Sequence, residues 1–272
     1  MKDFMRSNLV LIILELVFYS FMLIAFQPIL PFMLVLHLTL TLIALTPICE
    51  GFMRTLCGAN EIVTEADKNY LEPLFEEVYS EAMCKYPSIS KKIKLYKSKE
   101  VMPNAYALGS NTIVLTKGAI ETFSSDELKG VIAHELGHIA HGDTKMTLVI
   151  FANNIIVWSI LLIVNALLSM TANISRMFGD NAVGYKVMIW IKKVVLFLLT
   201  QIVLVIIAFG SRGSEYLADE FAYNIGYGIE LIKVLTTLSR MDFKKETSIL
   251  SVLKESHPDL EYRIARLEQM QY

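Results

Sequence analysis

The stretch His134-Glu135-Leu136-Gly137-His138 sets two imidazoles four positions apart, with a carboxylate beside the first. Four residues advance an α-helix by about 400°, so the two rings share one face, one turn apart. Two imidazoles so placed can ligate one Zn2+. Glu135, next to the first ring, can reach a water at that metal as general base. With five histidines in 272 residues, the bland alternative is a helix that carries two incidental ones. A catalytic zinc takes a third protein ligand and keeps one position open. His141 is on the same face, but an axial rise of ~10.5 Å from His134 puts it out of reach of a shared metal. It belongs to the rim of the site or to an ordinary surface. The better candidate is Ser211-Arg212-Gly213-Ser214-Glu215-Tyr216-Leu217-Ala218-Asp219. Glu215 can supply the third ligand, and Asp219, one turn on, can accept from the far nitrogen of a ligating ring. Alone, this pair reads as a solvated acidic face. Beside the two histidines it reads as the rest of a metal site.

These residues need elements to hold them. Ser124 and Glu127 have capping-box spacing, and Leu128, Val131 and Ile132 follow with helical period. The histidine motif therefore sits within a helix, which Gly142 can break only after His141. Thr64 and Asp67 give a second N-terminal signal, for a helix reaching Tyr86. Pro73 inside it predicts a kink or a later regular start. Residues 92–97, 104–108 and 111–118 are strand-like, with Gly109-Ser110-Asn111 able to turn the chain. The fold class expected is mainly α with a small β-sheet.

Composition points to a second solvent. The chain is 54% apolar and only 19% charged, with a mean hydropathy of +0.48, whereas soluble domains run near ~25% charged. Disorder and low-complexity classes are excluded. A net charge of −2 gives no basic field for nucleic acid. Cys49, Cys57 and Cys84 are odd in number and irregular in spacing, which signals neither a disulfide framework nor a cysteine zinc site.

The apolar residues fall in blocks at 8–26, 29–48, 146–170 and 194–210, on the scale of the ~30 Å hydrocarbon core. The first follows Lys2 and Arg6, yet it is too long and lacks the small-x-small site of a cleaved signal peptide. The chain divides into an N-terminal hairpin (1–48), a first soluble part that ends with the histidine motif (49–145), a second hairpin (146–210) and a second soluble part that carries the two acids (211–272). With both termini inside, 21 of the 25 lysines and arginines lie on one side, as the positive-inside rule asks. The loop bearing Arg176, Lys186, Lys192 and Lys193 runs against that rule. Either the last two blocks form a shallow hairpin or the lysines snorkel at a helix end. An even number of crossings brings both soluble parts to the same side. Glu15 and His37, ~19 and ~14 Å deep by helical rise, are costly inside a span; either they pair with each other or each faces another helix or a polar cavity.

On these residues the chain resembles the HtpX-like membrane zinc metallopeptidases, related to the CAAX prenyl proteases and to mitochondrial quality-control peptidases. The resemblance implies a gluzincin-like zinc metalloprotease domain combined with four transmembrane helices. It implies His134, His138 and Glu215 as zinc ligands, Glu135 as catalytic base and Asp219 as the carboxylate behind a ligating ring. Asn104-Ala105-Tyr106-Ala107 resembles the family's edge strand, along which substrate adds by backbone hydrogen bonds. Ser256-His257-Pro258 with Arg263-Ile264 resembles its C-terminal motif, whose histidine (here His257) stabilises the oxyanion. His141 stands where relatives commonly carry Asn.

The reaction expected is peptide hydrolysis with Zn2+ as cofactor. Asp143 and Lys145 mark the membrane surface a few residues after His138, which puts the metal within ~10–15 Å of the interface. The expected substrates are membrane proteins, or misfolded segments, at the cytoplasmic face of the inner membrane. The bilayer is a partner and nucleic acid is not. Two other readings are a site-2-type intramembrane protease and an inactive zinc-binding scaffold. Charged flanks around the motif (Asp126, Glu127, Lys129, Asp143 and Lys145) weigh against the first. The second is separated by whether Glu135→Gln removes activity.

Overall fold

A computed structural model describes residues 30–89, 92–152, 213–241 and 260–271, with residues 166, 169–170, 187 and 190. The first apolar block, Glu15, most of the third and fourth blocks, the basic loop between them and His257 lie outside the described residues.

The described chain is mainly helical around one small mixed sheet. Helix α1 spans Leu30–Ala44 and α2 spans Pro47–Leu56. Strand β1 is Asn60–Glu61, and α3 runs Glu65–Lys85. Strands β2 (Lys94–Ser98), β3 (Ala105–Leu108) and β4 (Thr112–Thr116) follow. Then come α4 (Lys117–Thr122) and α5 (Ser125–His141). Residues 143–152 form α6 and residues 213–224 form α7. Helices α8 (Gly228–Arg240) and α9 (Leu260–Gln269) complete the described part.

The capping signals act as their chemistry dictates. Thr64 accepts from the Asp67 N–H to start α3. At α5, Ser124 and Glu127 satisfy each other's backbone N–H in a full capping box, which covers two of the donors a helix start leaves open. Helix α3 continues through Pro73 rather than starting there, because Leu71, Phe75, Val78 and Ala82 bury one continuous stripe. The 111–118 stretch is strand only to Thr116, whose hydroxyl then caps α4.

The sheet order is β1-β2-β4-β3, with β2 parallel to β4 and the other pairs antiparallel. Among the described residues β3 is therefore an edge strand. Register puts Ala105 beside Leu115 and Ala107 beside Ile113 on one face. That face joins Leu128, Val131, Ile132 and Leu136 of α5 and Phe75 and Val78 of α3 in the main core. Each such large side chain contributes roughly 1.5–3 kcal/mol by leaving water. The opposite face, with Tyr96, Thr112 and Tyr106, is roofed by α2. Arg54 lies over the Tyr96 ring and donates to Thr112 Oγ1 at 3.0 Å, and Tyr106 donates to the Cys57 carbonyl.

A second, smaller apolar cluster joins Ala44, Leu148 and Ala152 with Leu40, Cys49, Met53 and Val149. It brings the end of α1 and the start of α2 against α6. Among the described residues no single helix is long and apolar enough to cross a membrane. Val35–Ala44 and Pro47–Leu56, bent by 74°, meet that length and composition test only together. The boundary drawn at residues 48 and 49 from the sequence thus falls inside α2.

Candidate metal centre

Helix α5 carries His134, Glu135 and His138, all from the motif, on a segment whose other residues are core. Gly137 lets α7 come in against it: a Cβ there would lie 2.8 Å from the Ala218 Cα and 3.0 Å from its carbonyl oxygen. With the two backbones in contact, Glu215, one turn before Ala218, arrives beside the rings. His134 Nε2 is 3.4 Å and His138 Nε2 is 3.6 Å from Glu215 carboxylate oxygens. The two Nε2 atoms are 3.1 Å apart. One ligand atom from each of His134, His138 and Glu215 fits within a 4.8 Å span.

Both rings are oriented from behind. His134 Nδ1 donates to Asp219 Oδ1 at 3.0 Å, as the i, i+4 spacing of Glu215 and Asp219 implies. His138 Nδ1 donates to Asp143 Oδ2 at 2.8 Å. In the sequence Asp143 stands out as a surface marker and a charged flank of the motif, not as a partner of His138. It reaches His138 because Gly142 closes α5 in the left-handed conformation, φ 76°, and turns the chain back on the helix end. A glycine one residue before an acid is the signal that could have found it.

Arg263 on α9 is the other group not assigned a role beforehand. It is buried and donates through Nε and Nη2 to both Asp219 oxygens at 2.8 and 2.6 Å, and it pairs with Glu215 at 2.8 Å. It stands 44 residues beyond Asp219, and no local periodicity reports such a contact.

The electrostatics follow from burial and charge count. Burial by itself would lower the His138 pKa, but Asp143 and Glu215 outweigh it and hold it up at about 10. Burial also opposes charge on His134, and the Asp219 and Glu215 carboxylates again raise its pKa. Desolvation would push Asp219 up, yet the Arg263 charge and the His134 contact hold it below the usual carboxylate range.

A metal fits these residues. With each Nδ1–H committed to a carboxylate, a cation that displaces the second ring proton meets an Nε2 lone pair from each imidazole. The two nitrogens and the Glu215 oxygens already converge, so positive charge between them, as protons or as a metal ion, is what the arrangement calls for. Glu135, Asp143, Glu215 and Asp219 are all buried, and of these Arg263 meets only Glu215 and Asp219 directly, which leaves negative charge for a cation to balance.

The remaining sequence expectations fall as follows. Ala105, Tyr106 and Ala107 lie in the edge strand β3, which packs on α5, and Asn104 precedes it with its carbonyl bonded to Thr116. His141 ends α5 half-buried, its ring edge-on to Phe221 at 6.1 Å, and is not among the converging ligand atoms.

A family model described as Peptidase family M48 matches residues 65–271, which takes in both ligand helices. A protease HtpX homolog of Campylobacter concisus is 29% identical over 210 residues, covering 65% of this chain and 68% of that protein. Protease HtpX of Stutzerimonas stutzeri is 28% identical over 249 residues, covering 80% and 79%. The crystal structure of S. mikatae Ste24p aligns with a TM-score of 0.51 at 21% identity, over 93% of this chain and 61% of that one. At that identity the likeness speaks for the fold alone. A metal-binding geometry built on α5 and α7, inside a family match that covers most of the sequence, leads to one conclusion: the chain belongs to peptidase family M48, a family of metallopeptidases.

Proposed function

We propose that this protein is a zinc-dependent membrane endopeptidase that cuts membrane or misfolded proteins at the cytoplasmic surface of the inner membrane. The observation that carries the reading is the convergence of His134 Nε2, His138 Nε2 and a Glu215 carboxylate oxygen, with a carboxylate behind each ring. Two imidazoles and one carboxylate with a fourth position open is the donor set of a catalytic zinc site. The four-span topology and the gluzincin character belong to this proposal as well.

His134, His138 and Glu215 would hold the zinc ion, which when bound supplies Lewis acidity toward a carbonyl and lowers the pKa of water. The protein's own groups do the rest. Glu135, buried beside the first ligand, takes a proton from the attacking water and delivers it to the leaving amine. Asp219 and Asp143 keep the rings from turning away. Arg263 neutralises part of the carboxylate charge behind Glu215 and Asp219. Edge strand β3, lying over α5, offers its unpaired backbone groups to an extended substrate, so Asn104–Ala107 align the chain to be cut. His257 donates to the carbonyl oxygen as it gains charge, an effect worth about 3 kcal/mol.

The test is metal analysis together with cleavage of a reconstituted membrane protein by wild type and Glu135→Gln. Cleavage should vanish while one metal per chain remains. Full cleavage by Glu135→Gln would overturn the mechanism, and loss of nothing but scaffolding partners would favour a non-catalytic role.

A further inference from the structure

Helix α2 presents two unlike faces. Toward the sheet it sends Glu50 and Arg54. Glu50 accepts from Ser110 N, Asn111 N and Thr112 Oγ1 at 3.1, 3.2 and 2.6 Å. Away from the sheet, Ile48, Phe52 and Leu56 recur every four residues and are 80%, 57% and 59% exposed. They join neither apolar cluster. Large side chains in a row on one helix face, largely exposed and outside both clusters among the described residues, lack the partner that their hydrophobicity requires.

We propose that α2 lies flat in the lipid–water interface, its Ile48–Phe52–Leu56 face among the upper acyl chains and its Glu50–Arg54 face holding the substrate strand. The proposal rests on the membrane reading above and adds to it the place of one helix. Three observations favour lipid over another occupant. The outer face is continuous with α1, whose Val35, Leu38 and Leu42 are exposed in the same way. A bend of 74° separates the two helices, so a steep α1 leaves α2 nearly parallel to the membrane plane. Finally, α2 cannot run deep, because its inner face is hydrogen-bonded to a sheet whose neighbouring β1 exposes Asn60 and Glu61. An amphipathic helix between a polar domain and a span is stable at the interface and nowhere else.

The inner face ties this lipid contact to the active site. Glu50 fixes the 110–112 turn that joins β3 to β4. Thr144 Oγ1 donates to the Gly109 carbonyl of the same turn, and Thr144 adjoins Asp143, the carboxylate on His138. Edge strand, ligand orientation and lipid-bound helix thus share one hydrogen-bonded frame. A helix with its side chains is about 10–12 Å thick, which sets the height of β3 above the lipid. Extended chain rises ~3.3 Å per residue, so a substrate segment reaches that strand within roughly three or four residues of leaving the bilayer.

The experiment is nitroxide labelling at positions 48, 52 and 56, one at a time, in the full chain with Cys49, Cys57 and Cys84 replaced by Ser. The protein is reconstituted in phosphatidylcholine–phosphatidylglycerol vesicles, with labels at Val35 and Glu61 as lipid and water references. All three labels should favour oxygen over a nickel chelate, as position 35 does, at a depth of about 5–10 Å. Preference for the nickel chelate, as at position 61, overturns the proposal. So does shelter from both reagents or spin–spin broadening, which would assign the face to another protein or a second copy. Should a label disturb folding, Phe52→Trp with Trp158→Phe and Trp190→Phe reports the same contact. Brominated lipid should quench it at least twofold, and an unquenched indole overturns the proposal. No cleavage or metal enters these measurements, so an inactive chain with lipid-facing labels would sink the protease reading alone. A water-exposed label at position 35 would sink the membrane reading and this proposal with it.

Discussion

Glu50 and Glu215 are equally hidden, each 4% exposed, yet they keep opposite company. Glu50 is met by two backbone N–H groups, a threonine hydroxyl and, at 3.7 Å, the Arg54 guanidinium. Its charge is answered in full by donors of the fold. Glu215 faces two imidazole nitrogens and Arg263, within a group of four buried carboxylates. There the protein supplies acceptors in excess. A buried charge whose partners are all in place holds structure together, whereas a buried cluster with a surplus of lone pairs is arranged for something the chain does not itself contain.

The contrast can be broken by substitution. Glu215→Gln should abolish metal retention and lower cleavage by at least ~10⁴-fold, as loss of one member of a catalytic unit does. Its metal-free form should melt within about 1 kcal/mol of metal-free wild type, because the amide oxygen still accepts from Arg263 and surplus negative charge is gone. Metal content, activity and calorimetry together check this. Glu50→Ala should do the reverse. It leaves two backbone N–H groups, the Thr112 hydroxyl and a half-buried guanidinium without their shared acceptor and should cost about 2–4 kcal/mol of stability, while the folded fraction keeps its metal. If the two variants behaved alike, the distinction would fail.

Asp143→Asn sharpens the catalytic side. The amide can no longer fix the His138 tautomer as a carboxylate does, and metal affinity should fall about 10–100-fold, measured by competition with a chelator. The smallest effect belongs to an ion pair outside both clusters. Asp67 on α3 pairs with Lys97 on β2, and that lysine with the Thr64 hydroxyl holds its carboxyl below the ordinary value. A lowered folded pKa means stabilisation that is complete above the unfolded pKa of ~3.9. It is lost as pH falls through the folded value. Asp67→Asn should therefore cost about 1 kcal/mol or less at neutral pH. Thermal melts of variant and wild type should start to approach each other as pH falls below about 3.9 and coincide only below the folded value.

Much of the site could be read from the chain because its signals are local. The capping box at Ser124, the i, i+4 histidines and the i, i+4 acids of α7 each lie within one or two helical turns. The Gly109-Ser110-Asn111 turn and the edge strand after Asn104 were likewise legible. What escaped depends on contacts across the sequence or on a single backbone angle. Arg263 joins Asp219 from a distant helix, and Asp143 reaches His138 only because Gly142 adopts positive φ. The start of helix α2 was hidden at the end of an apolar run that looks continuous through Ile48, while the rest of the helix lies beyond it. Thr46-Pro47, an N-cap followed by proline at the first helical position, is the signal that divides it.

The contact between α5 and α7 at Gly137 also governs timing. The two histidines are translated well before the carboxylate that completes their grip, and the guanidinium behind it lies 129 residues beyond His134. In an unfinished nascent chain the two histidines therefore stand without the carboxylate that completes the cluster. The three come together only after α7 has been made and has packed against α5 at Gly137.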